Sequence, residues 1–108
     1  MTQKEFIKVL DGKEYPYELE GDKIIVTWGH TVDLSSIKSL PPFVEFRNGG
    51  HVWLGSLTSI PPGVEFRNEG TVELDKLIGE WFYYWEGNIG GIGHKRLLNL
   101  MIKKGMFI

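Results

Sequence analysis

Apolar residues recur along this chain with two superimposed periods. Over short runs they alternate with polar ones: Val32-Asp33-Leu34, Val44-Glu45-Phe46, Val52-Trp53-Leu54, Val64-Glu65-Phe66 and Val72-Glu73-Leu74. That is the period-two signature of strands with one face turned inward. Over a longer range the whole pattern returns every twenty residues. Val32–His51 and Val52–Thr71 are identical at twelve of twenty positions. A fixed period of this size predicts stacked units, none of which can bury its apolar face alone.

The flanks predict other elements. Thr2-Gln3-Lys4-Glu5 is a capping-box pattern, and Phe6, Val9 and Leu10 share one face of a short helix that Gly12 is expected to stop. Tyr15–Leu19 and Lys23–Thr27 read as two strands around a turn at Glu20-Gly21-Asp22. The second of these aligns with Phe43–Asn48 and Gly63–Asn68 and so enters the stack. A third copy opens at Val72-Glu73-Leu74 and departs from the pattern after Leu77. Pro41-Pro42 and Pro61-Pro62 turn the chain, since proline cannot donate to a ladder. Asn48-Gly49-Gly50 and Asn68-Glu69-Gly70 turn it back, as residues that tolerate positive φ.

The expected fold is mainly β with terminal helices: a small parallel β-solenoid of about three twenty-residue coils, capped by an N-terminal helix and hairpin and by a C-terminal helix. One domain spans 1–108, divided into an entering segment (1–31), coils (32–77) and an aromatic, Gly-rich cap with a helix (78–108). Val32, Val52 and Val72 should form one buried column, and Phe46 and Phe66 another. Glu45 and Glu65, with Arg47 and Arg67, should form a solvated outward ladder of diagonal ion pairs. The outward column Asp33–Trp53–Glu73 sets an aromatic between carboxylates. It is either a binding hot spot or, by preference, covered by the C-terminal segment.

Trp81-Phe82-Tyr83-Tyr84-Trp85 is the densest aromatic run. The preferred reading is that alternate rings plug the end of the stack. The other is a partner surface built on Trp81, Tyr83 and Trp85. Charge is uneven here: residues 1–86 carry fourteen acids against eight bases, or −6, and residues 87–108 carry four bases and no acid, or +4. Within this basic end a helix is expected from His94 to Ile102, stopped at Gly105. Gly91-Ile92-Gly93, with Lys95 and Arg96, resembles the hairpin of helix-hairpin-helix DNA-binding motifs. The resemblance implies a phosphate held by Gly91, Gly93, Lys95 and Arg96 at a helix N-terminus. The acidic body opposes that reading.

Other chemistry is sparse. With no Cys there are no disulfides or thiolate ligands, which fits the cytoplasm. The register brings His30 near His51, but two histidines without a third ligand do not make a metal site. No nucleophile–base spacing, P-loop or dinucleotide fingerprint is present, so no enzyme, metal or cofactor is expected. No run of eighteen apolar residues exists, so no membrane span is expected.

The pattern V-x-L-x-S-L-x-S-(L/I)-P-P-G-V-E-F-R-N-x-G resembles short bacterial and bacteriophage repeat proteins of unknown function. In those, as here, a segment like KEFIKVLDGKEYPYELEGDKIIVT precedes the repeats and one like KRLLNLMIKKG follows. The resemblance implies no established activity. The leading functional expectation is a non-enzymatic protein-interaction module, phage-encoded and acting on a host or viral protein. The alternative is a nucleic-acid-binding protein using the Gly91-Ile92-Gly93 turn.

Overall fold

The structure, a computed structural model, describes residues 1–77 and 92–107; the side chains of residues 92–96 lie outside the description. The elements in chain order are α1 (Gln3–Gly12), β1 (Tyr17–Glu20), β2 (Lys23–Val26), β3 (Val32–Asp33), β4 (Val44–Phe46), β5 (Val52–Trp53), β6 (Glu65–Phe66), β7 (Val72–Glu73) and α2 (Ile92–Lys103). The strands form two sheets, of order β1-β2-β4-β6 and β3-β5-β7. Each parallel pair is offset by twenty residues: Val26 lies beside Phe46 and Phe46 beside Phe66, while Val32, Val52 and Val72 form one row. All six side chains are buried. The Phe46 and Phe66 rings stack at 5.1 Å with planes 5° apart.

This is an α/β domain, which corrects the expectation of a mainly β parallel solenoid. Among the described residues α1 and α2, of 10 and 12 residues, hold more residues than the seven strands, none longer than four. The strands fall into two separate open sheets, and the first is mixed because β1 runs antiparallel to β2. Strand length supplies the physical reason. Strands of two or three residues offer few side chains and few ladder bonds each, so helices complete the core. Phe6 and Leu10 of α1 and Leu98 and Ile102 of α2 are fully buried in one cluster with both sheets.

Both helix ends follow backbone chemistry closely. At the start of α1 the Thr2 hydroxyl accepts from the Glu5 N–H at 3.2 Å, and the Glu5 carboxylate accepts from the Thr2 N–H at 3.0 Å. The helix ends at Gly12 as expected, but the left-handed conformation beyond it falls on Glu14, with φ 59°, and not on the glycine. The Tyr15 N–H then donates to Leu10 and the Glu14 N–H to Asp11, closing a Schellman motif around a residue that carries a Cβ. At the other end α2 starts at Ile92, two residues before the expected His94. It stops as expected at Gly105 (φ 74°), where Met106 donates to Met101 and Gly105 to Ile102. Glu14→Gly removes the steric cost of a left-handed L-residue and should stabilise the protein by about 1 kcal/mol in urea unfolding. An unchanged or lower midpoint would show that the Glu14 side chain contributes more than its backbone costs.

The returns between repeats work differently from expectation. Neither Gly49 nor Gly50 nor Gly70 has positive φ. Gly50 and Gly70 are required instead by close approach, because a Cβ on Gly50 would lie 2.6 Å from the Thr31 nitrogen and one on Gly70 would lie 2.8 Å from the His51 nitrogen. The Asn48 side chain donates to the carbonyls of His30, Gly50 and His51, and Asn68 to those of Gly50, Gly70 and Thr71. Both asparagines are buried.

Side chains close two of the sheet edges. The Tyr15 hydroxyl accepts from the Asp33 N–H of β3 at 3.1 Å. On β6, the Asn99 carboxamide of α2 accepts from the Phe66 N–H at 2.8 Å and donates to the Phe66 carbonyl at 2.9 Å. Asn99 thus occupies the place of the next strand. Asn99→Ala leaves both backbone groups half-buried without that partner and should cost about 1–3 kcal/mol of unfolding free energy. A loss within error of zero would show that water replaces the carboxamide fully.

Candidate functional site

The outward faces of the two sheets are chemically unlike. On the first sheet the row Ile25–Glu45–Glu65 was expected to be solvated at both carboxylates. Glu45 is instead buried, with 2% of its side chain exposed, whereas Glu65 on edge strand β6 keeps 42%. The central position explains the difference. Lys23 Nζ lies 3.3 Å from Glu45 and Arg67 Nε 3.9 Å, and Arg47 Nε pairs with its second oxygen. The Arg67–Glu45 contact is the expected diagonal pair, and Arg67 also pairs at 3.0 Å with Glu65, two residues earlier in its own segment. A carboxylate loses hydration on burial, and converging cations offset that cost. This face neutralises its own charge.

The outward face of the second sheet does not. Trp53 stands on the central strand β5 and is 38% exposed, so the expected cover is not in place among the described residues. Asp33 and Glu73 flank it in register on β3 and β7. Two residues beyond Trp53, Gly55 lies in the turn that follows β5. Asp75 Oδ2 lies 3.9 Å from where a Gly55 Cβ would be. The Asp33 carboxylate accepts from the Ser35 hydroxyl at 2.6 Å and the Ser35 N–H at 3.1 Å. Those bonds, helped by the charge of Lys13, hold its carboxyl below the usual range. Among the described residues no ion pair engages Asp33, Glu73 or Asp75.

The other residues of interest do not join this face. Trp81, Tyr83, Trp85 and Gly91, with the expected aromatic plug, lie outside the described residues. Gly93 has helical backbone in the first turn of α2, and the side chains of Lys95 and Arg96 lie outside the description. The two histidines near the repeats have different partners. The His30 ring meets Trp28 edge-on at 5.1 Å, and His51 Nδ1 accepts from the Thr71 N–H at 2.9 Å. Among the described residues no three metal-ligating side chains converge, and no helix is long and apolar enough to cross a membrane. A cleft of about 910 Å³ lies between β6 and α2, lined in part by Val64, Phe66, Arg67, Leu100 and Lys103. Its lining sets Arg67 and Lys103 among Glu65 and Glu69 and, among the described residues, carries no imidazole or hydroxyl group.

Sequence reasoning found the column Asp33–Trp53–Glu73 but missed that Asp75 comes close to Gly55. Alternation gives no signal there, because residues 35, 55 and 75 lie beyond the two-residue strands. Compared with protein-family models, curated proteins and solved structures, the chain matches none.

Asp33 supplies a pH test of the face. A carboxyl whose folded pKa is lowered stabilises the fold above its unfolded value near ~3.9, and that contribution fades as pH falls through the lower folded value. The stability advantage of the native chain over Asp33→Asn should therefore shrink between about pH 5 and pH 2 in thermal melts. The comparison isolates Asp33 from Glu5, whose carboxyl is also lowered by its Thr2 hydrogen bonds. A constant difference across that range would show that the Ser35 bonds do not depend on charge.

Proposed function

We propose that this chain is a non-enzymatic protein-interaction module, and that Trp53 is its docking centre. The observation that carries this reading is a large aromatic left over a third exposed at the middle of a sheet whose neighbouring charges have no ion-pair partners among the described residues. Exposed Trp residues ringed by polar groups are the commonest anchors of protein interfaces. The resemblance to bacterial and phage repeat proteins supports a cytoplasmic setting in a bacterial host, with a host or viral protein as partner.

The test is capture from the native host with the intact chain and with Trp53→Thr, which replaces one strand-favouring residue by another. Recovery of a specific partner should fall about tenfold or more in the variant, at an unchanged melting temperature. Equal recovery would move the interface away from Trp53. One observation favours a second reading: the first turn of α2, which includes Ile92 and Gly93, holds no acid, and a helix N-terminus without acids suits a phosphate. Duplex-DNA affinity that falls steeply with salt and vanishes on replacing Lys95 and Arg96 by Glu would install nucleic-acid binding in place of the protein module.

A further inference from the structure

We propose that the Trp53 face takes a basic, extended polypeptide segment, with a Lys or Arg side chain laid on the indole and its neighbours paired to Asp33, Glu73 and Asp75. The inference rests on the interaction-module reading and adds the chemistry of the partner. Its argument is a contrast between two faces of one molecule. On the first sheet Glu45 and Glu65 are matched by Lys23, Arg47 and Arg67 within the fold. On the second sheet Asp33 and Glu73 flank an exposed ring and Asp75 lies beside Gly55 in the following turn, and no cation of the described residues forms an ion pair with them.

The ring itself selects the same sign of charge. The face of an indole is the best aromatic platform for a cation. Asp33 and Glu73 stand one strand spacing to either side of it, so together they span about 10 Å across the sheet. An extended chain crossing the strands can place one cation on Trp53 and others beside the flanking acids. In the turn after β5 the Asp75 carboxylate stands close to Gly55, where no side chain covers it, and offers a further partner to a cationic segment. The Ser35 hydrogen bonds keep Asp33 aimed and ionised at neutral pH. Anionic partners, nucleic acid included, are repelled here.

The test uses the full chain and three capped octapeptides that alternate serine with arginine, glutamate or leucine. Binding is read by calorimetry and by the amide and indole N–H shifts of Trp53. The arginine peptide should bind and shift Trp53, and the glutamate peptide should do neither. Affinity for the arginine peptide should drop about tenfold in Trp53→Thr, and again in Glu73→Gln with Asp75→Asn, which leaves the Asp33 turn intact. It should also weaken with salt. Undiminished arginine-peptide binding by the Glu73/Asp75 variant would overturn the inference. A Trp53 shift with the leucine peptide alone would overturn it too, yet leave the interaction module standing. No Trp53 shift with any peptide, together with unchanged partner capture by Trp53→Thr, would remove both. Self-association of the unliganded chain that dissolves in Trp53→Thr would assign the face to the basic end of a second copy, and so overturn the choice of occupant.

Discussion

The buried carboxamides of Asn48 and Asn68 hold the rest of the domain in place. A chain that returns to pair with itself at an offset of twenty must reverse direction inside the protein, and a reversal leaves carbonyls that no ladder satisfies. Each asparagine donates to two carbonyls of its own turn and to one of the preceding repeat. That third bond fixes the offset, because it links a turn to its counterpart one repeat earlier. Gly50 and Gly70 then let the backbones approach closely enough for the bonds to form. Once the turns are registered, the strand columns follow without further choice, and Phe66 must lie on Phe46.

A stack of such short strands creates a problem at its ends. Two-residue strands expose few backbone groups, so a single side chain can stand in for a neighbouring strand. Tyr15 does this at β3 and Asn99 at β6, while β1 covers β2 with a full antiparallel partner. These endings explain why helices have so large a share of the fold. The elements that carry Tyr15 and Asn99 also bring Phe6, Leu10, Leu98 and Ile102 to the core. Closing an edge and filling the core are one event at each end of the domain.

Much of this was legible in the sequence, and the failures have identifiable causes. The twenty-residue register, the buried Val and Phe columns, the capping box at Thr2 and the stop at Gly105 follow from local pattern alone. The fold class did not, because a repeat announces stacking but not how much helix is needed to complete it. Gly12 marked the end of α1 but not the left-handed position, which Glu14 took despite its Cβ. Glu45 misled because alternation gives the direction of a side chain but not what converges on it. Three cations from three positions make that interior tolerable, and no window of sequence brings them together. At the candidate site, alternation exposed Trp53 and its flanking acids, but their lack of internal ion pairs required knowing where every lysine and arginine had gone.

The repeats themselves separate structure from function. Positions that agree between them are those the stack dictates: Val, Leu and Phe in buried columns, paired prolines, the turn asparagine and the close-approach glycine. Positions that disagree in chemical type lie on the exterior or at its margin: Asp33 against Trp53, Ser35 against Gly55, Lys38 against Thr58, Phe43 against Gly63, His51 against Thr71. Some of these differences are coupled. Phe43 holds a left-handed backbone, and its ring lies where a Cβ on Gly63 would be, 2.7 Å away, so one repeat gives up a side chain to admit the other's. Trp53 has no such structural reason. Were it needed for stacking, its column would repeat it, as the Phe column does, but its neighbours are aspartate and glutamate. A large aromatic that occurs once in a register built on repetition, with over a third of it left to solvent, is what the proposed docking role expects at this position.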